Sequence, residues 1–128
     1  MADLDEETIA YAHRMFDLAR AGDTAELISN VAAGLPPNLT NDKGDTLLIL
    51  AAYHNHPDTV AALLEHGADP DRVNDRGQSA LSAAVFRQNP ATVRVLLGAG
   101  ADPHAGTPSA LATAEYFQLP EMARLLQA

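Results

Sequence analysis

The chain has 128 residues, with 8 basic against 17 acidic side chains for a net charge of −9, and it has no cysteine. Without cysteine, disulfides, thiol catalysis and cysteine-based zinc sites are excluded, and a reducing, cytoplasmic setting is the expectation. The acidic balance argues against nucleic acid or an anionic membrane as partner, because both need a basic footprint, and it points to a basic or mixed protein surface.

Residues 5–20 predict a first helix. Ile9, Ala12, Phe16 and Ala19 recur at helical spacing, and Asp5, Glu6 and Glu7 put acid in the first turn, where the helix dipole favours it. That acid stands where a signal peptide would carry base, and no apolar run in the chain is long enough to span a bilayer. Gly22 breaks the helix and Asp23 can cap a second one over residues 24–33, with Leu27, Ile28 and Val31 as its apolar face. Gly34 stands 33 residues before Gly67, in the same helix-ending place. The stretch from Asp23 to Gly34 reads as two residues longer than its successors, and Leu-Pro-Pro-Asn follows it.

Residues 41–70 and 74–103 are one pattern written twice, agreeing at 14 of 30 positions when offset by 33. In the first copy Gly44 predicts a turn at positive φ, and Thr46 caps a helix over residues 47–54. Leu48, Ala51 and Ala52 turn small and medium side chains toward the neighbouring copy, which lets helices approach to about 8–10 Å. Asn55–His56 makes a tight turn. Pro57 opens a second helix at the one position where its missing N–H costs nothing, Val60, Leu63 and Leu64 are its buried face, and Gly67 closes it. Residues 69–77 run out as an extended finger. The second copy repeats this with Ser79, Leu81, Ala84, Pro90 and Gly100. A further unit matches at an offset of 30, with Ser109, Leu111, Ala114, Gln118, Pro120 and Leu126 on Ser79, Leu81, Ala84, Gln88, Pro90 and Leu96. Its finger is three residues shorter.

A 33-residue period of turn, helix, turn and helix resembles the ankyrin repeat. The likeness covers residues 8–128 and is most specific in the Gly-Ala-Asp-Pro of residues 67–70 and 100–103 and in the glycine turns. It implies an all-α ankyrin-repeat solenoid forming one domain over residues 1–128. Four helix–turn–helix units are expected: an N-terminal cap at 8–40, full repeats at 41–73 and 74–106, and a C-terminal cap at 107–128, joined by hairpin-like fingers. Divergent terminal units are expected because one of their faces meets water instead of a neighbour. The tetrapeptide opening each first helix is typically Thr-Pro-Leu-His in the family. Here it is Thr46-Leu47-Leu48-Ile49 and Ser79-Ala80-Leu81-Ser82, so the histidine that ties adjacent repeats is absent from both.

No constellation for chemistry emerges. His54-x-His56 is the only close pair among His13, His54, His56, His66 and His104, and it straddles a helix end with no third ligand beside it, so these read as solvent-facing turn residues. Ser29, Ser79, Ser82 and Ser109 read as helix caps or helix-surface residues, and no glycine-rich phosphate loop is present. The expectation is no catalysis, no cofactor and no metal. Asp42, Asp45, Asp69, Asp71, Asp75 and Asp102 cluster on turns and fingers, where aspartate caps and solubilises. A lesser expectation is that they form an acidic rim steering a basic partner, with Lys43, Arg72 and Arg76 interleaved.

The aromatic residues carry more. Tyr53, Phe86 and Tyr116 fall on one repeat position near the end of each first helix, with Leu18 in the slot of the first unit, and His54, Arg87 and Phe117 follow immediately. The resemblance places this position on the concave groove beside the fingers, where partners of the family are held. Rings one repeat apart are too far from each other to stack together and are expected to form a stripe, whose bland alternative is a cover over alanine-rich helix surface. The expected function is a non-catalytic, monomeric scaffold that binds another protein through Tyr53, His54, Phe86, Arg87, Tyr116 and Phe117 on the helices and Lys43, Asp45, Arg76 and Gln78 on the fingers. The alternative is a regulatory or inhibitory subunit of one enzyme using the same surface; a metal- or small-molecule-binding protein is weaker.

Overall fold

The computed structural model describes residues 5–127. Among the described residues eight helices run in antiparallel pairs: α1 (Glu6–Ala21) with α2 (Thr24–Ala32), α3 (Leu47–Tyr53) with α4 (Pro57–Glu65), α5 (Ala80–Phe86) with α6 (Pro90–Gly98), and α7 (Ala110–Tyr116) with α8 (Pro120–Gln127). The odd-numbered helices stack on one another as an inner layer and the even-numbered ones as an outer layer. Seven residues are too few to hold a helix in water alone. The inner helices exist because neighbours enclose them: every residue of Leu47–Ala52 and of Ala80–Val85 is buried.

The capping chemistry is local and repeated. Asp5, Thr46, Ser79 and Ser109 accept the N–H of Thr8, Ile49, Ser82 and Ala112, and Ser79 with Ser82 completes a reciprocal capping box. Pro57 and Pro90 occupy the first turns of α4 and α6. Each inner helix ends on a left-handed residue, Gly22, Asn55, Gln88 or Gln118. Gly34, Gly67 and Gly100 end the outer helices at positive φ, where a β-carbon is disfavoured.

Two expectations for the first unit are corrected. α2 has nine residues, as α4 does, so nothing is inserted between Asp23 and Gly34 and the offset of 33 runs unbroken from Gly22 to Asn55. Leu18 therefore occupies the slot of Ala51 and Ala84 and is buried, and the residue in register with Tyr53 is Arg20. Ile9 is 40% exposed instead of buried, because α1 is sixteen residues long and its N-terminal turns reach past the seven-residue α3. Met15, Phe16, Leu18 and Ala19 make its buried face.

The missing histidine network is replaced by other polar ties. His56 is half-buried, not solvent-facing: its Nε2–H donates to the Arg20 carbonyl at 2.7 Å. The ring fits only because residue 22 is glycine, since a β-carbon there would lie 2.6 Å from His56 Cγ. Thr59 meets Thr24 at 2.7 Å, and Thr92, in the same register, donates to Asn55 at 3.2 Å. The buried Asn74 donates to Asp45 at 2.8 Å, joining successive fingers.

Candidate functional site

The fingers are tight turns, not strands. Asn41 Oδ1 accepts from the N–H groups of Lys43 (2.9 Å) and Asp45 (3.0 Å), and Asn74 Oδ1 accepts from those of Arg76 and Gln78, both at 2.9 Å. The fingers are zipped along their edges, Asp75 N–H to the Lys43 carbonyl (3.0 Å) and Thr107 N–H to that of Gly77 (2.9 Å). Lys43 and Arg76 are thus held one period apart by backbone geometry, with exposed side chains. The connections use Asn38 and Asp71 in one slot, accepting the N–H of Asp69 and Asp102 at 2.8 Å. Asp69, Asp71 and Asp102 thus spend carboxylate oxygens on their own backbone.

Between fingers and inner helices lies an open cavity of about 380 Å³. Six of the ten predicted contact residues line it: Lys43, Asp45, Tyr53, His54, Arg76 and Gln78. Two of the six are less available than expected. Asp45 is 8% exposed and its carboxylate is committed to Asn74, while the half-buried Gln78 also accepts from Asn74, at 3.0 Å. Arg20 lines the same cavity and was missed; its place 33 residues before Tyr53 was the available signal.

The other four predicted residues extend this surface toward α7. Their arrangement corrects the expected separated stripe. The residue after the aromatic position leans onto the aromatic position of the preceding unit. Arg87 Cζ sits 4.7 Å from the Tyr53 ring centroid, and Phe117 lies edge-to-face on Phe86 at 5.3 Å. Phe117 also meets Tyr116 at 4.9 Å, so Phe86, Phe117 and Tyr116 form one connected cluster. Equal positions lie one repeat apart, and the residue that follows each aromatic position closes the gap between them. The three rings stay 44%, 49% and 81% exposed, which is too open for core packing. Phe86 and Phe117 border a second hollow with Gln78 and Ser82.

His54 packs edge-on to Tyr53 at 5.2 Å. Partial burial, and then the positive charges of His56, Arg87 and Arg20, hold its imidazole below the ordinary histidine pKa. Among the described residues no group of three or more His, Cys, Asp or Glu side chains is placed to hold a metal ion. The Ser79 and Ser82 hydroxyls are buried and occupied with each other. No helix among the described residues is long and apolar enough to cross a membrane.

A profile of ankyrin repeats in three copies matches residues 15–107. A Pseudomonas aeruginosa protein named, provisionally, as an ankyrin repeat protein is 55% identical over 58 residues, which is 45% of this chain and 34% of that relative. The chain thus aligns with about a third of that relative's length. With the stacked helix pairs, the capping glycines and this match over most of its residues, the chain belongs to the ankyrin-repeat family.

Proposed function

We propose that the chain is a non-catalytic scaffold that holds a partner protein in the groove between its inner helices and its fingers, acting as a single copy in the cytoplasm. Ankyrin repeats generally mediate protein–protein interaction, and a chain without cysteine suits a reducing compartment. One observation carries the reading: exposed aromatic and arginine side chains from successive units lock onto one another along a single face. The rings are costly to leave in water, the side chains are pre-ordered by their mutual contacts, and both types are enriched at interface hot spots. Tyr53 and Phe86 are the central anchors, Arg87, Phe117 and Tyr116 extend them, and Lys43 and Arg76 supply charge from the fingers.

A photo-crosslinking side chain placed at Phe117, and separately at the exposed Arg94 on the outer helix α6, tests this in the cell of origin. A discrete protein adduct is expected from position 117, absent from position 94, and lost when Tyr53→Ala and Arg76→Ala are added. Equal labelling at both positions, or none at 117, contradicts the reading.

A further inference from the structure

The chain is acidic, yet its groove is not. Its eight basic residues are Arg14, Arg20, Lys43, Arg72, Arg76, Arg87, Arg94 and Arg124. Arg20, Lys43 and Arg76 line the cavity, and Arg87 caps it over Tyr53. The carboxylates facing them are Asp42 and Asp45 in the lining, Asp75 on the finger beside Gly44, and Asp17, which pairs with Arg20 at 2.9 Å. Four positive against four negative leaves the groove neutral within a chain of −9, so all the excess acid lies elsewhere. The balance is sharper than that sum, because the Asp45 carboxylate is largely buried and bonded to Asn74. Lys43, Arg76 and Arg87 make no ion pair among the described residues. Partial burial, and after it the charges of His56, Arg87 and Arg20, hold the His54 imidazole beside the groove below the ordinary histidine pKa.

The groove is also graded. Its basic side chains come from the first three units, and beyond Arg87 the same register carries only Phe86, Phe117 and Tyr116.

We infer that the occupant of this groove is an acidic, extended protein segment, with carboxylates over Lys43 and Arg76 and apolar side chains at the end that meets Phe86 and Phe117. This deepens the proposed function and rests on it, and it reverses the basic partner that total charge suggests. Lys43 and Arg76 share one repeat position, so their separation is that of adjacent stacked helices, about 8–10 Å. An extended chain advances about 3.3 Å per residue, so two carboxylates about three residues apart span them. The N–H groups of Lys43, Gly44, Asp45, Asp75, Arg76, Gly77 and Gln78 are already bonded within and between fingers. Recognition therefore falls to side chains, and the charge pairs would set orientation and on-rate more than affinity.

The test is selection of a random peptide library on the intact chain, followed by binding of the enriched peptides measured by fluorescence anisotropy. The enriched peptides are expected to be net negative, with acidic residues about three apart and an aromatic or aliphatic residue toward one end. Lys43→Glu with Arg76→Glu should weaken them by at least about tenfold, as should raising the salt severalfold. The backbone bonds of both positions do not involve those side chains, and circular dichroism checks that the variant folds. Arg94→Glu with Arg124→Glu makes the same change in total charge away from the groove and should leave binding unchanged. Equal loss in both double variants overturns the inference, as does an oligonucleotide that outcompetes the peptides. Neutral or basic peptides that depend on Tyr53 and Phe86 but not on Lys43 and Arg76 overturn the acidic occupant and leave the groove standing. Peptides indifferent to all four residues, or no enrichment at all, overturn both.

Discussion

Two sets of positions one repeat apart behave in opposite ways. Leu48 and Leu81, Ala51 and Ala84, Val60 and Val93, and Leu63 and Leu96 keep the same side chain from unit to unit, and all eight are 1% exposed or less. Arg20, Tyr53, Phe86 and Tyr116 also share one register position, yet they differ in charge and polarity, and Phe86 and Tyr116 are well exposed. The interior has one solution because each unit must fit its neighbour's face at close-packed density. The groove has no such demand on it. The period is therefore a property of the packing, and the departures from it are where recognition has room to be written.

If the comparison is right, damage to the repeated set should cost far more stability than damage to the varied one. The largest effect is expected on deleting residues 107–128, which uncovers the α5 and α6 faces formed by Leu81, Ala84, Val93 and Leu96. Aggregation or a large loss of helicity by circular dichroism is the outcome; a soluble product melting like the parent would show that the units do not support one another. Next come Leu63→Ala and Leu96→Ala, which should each cost about 2–5 kcal/mol in chemical denaturation.

The turn glycines give a graded test. Gly44 has φ +77, and a β-carbon on it would lie 2.6 Å from Asp75 Oδ1 and 2.9 Å from the Asp75 backbone nitrogen. Gly100 has φ +89 with nothing within 4 Å. Gly44→Val should therefore cost about 2–3 kcal/mol, strain and collision together, and Gly100→Val about 1–2 kcal/mol from backbone strain alone. Equal losses would mean the fingers move apart freely. Tyr53→Ala with Phe86→Ala should cost only about 1–2 kcal/mol, the worth of one cation–π and one edge-to-face contact, while weakening partner binding by at least about 2 kcal/mol.

The smallest effect is electrostatic. The folded pKa of His54 lies below its unfolded value, so the unfolded chain takes up the proton first. The contribution of His54 is present above the unfolded histidine pKa and is lost as pH falls through the folded value. The acid side of the stability profile should therefore be slightly shallower in His54→Gln, measured by denaturation between about pH 7 and 5. An identical slope would mean that neither its partial burial nor the surrounding cations act on it.

Most of the scaffold was legible because it is encoded locally. Thr46, Ser79 and Ser109 announce helix starts, Pro57 and Pro90 announce second helices, and Gly67 and Gly100 announce their ends, whatever the rest of the chain does. The first unit was misread where those marks thin out. Leu-Pro-Pro-Asn replaces Ala-Asp-Pro-Asp, and the shift of register that followed put Leu18 where Arg20 belongs. Contacts between units were also beyond reach. That Phe117 rests on Phe86, Arg87 on Tyr53 and Asp45 on Asn74 depends on how helices and fingers distant in sequence are stacked. Total charge could not locate the basic side chains for the same reason, since a sum over residues says nothing of which face each one occupies.

The separation of scaffold from recognition surface is tested most directly by one triple variant, Tyr53→Ala, Arg76→Ala and Phe86→Ala, set beside Leu63→Ala, with denaturation and crosslinking from position 117 measured on both. The triple variant should lose less than half the stability that Leu63→Ala loses and should form no partner adduct. A triple variant as unstable as Leu63→Ala, or one that still forms the adduct, would contradict the account.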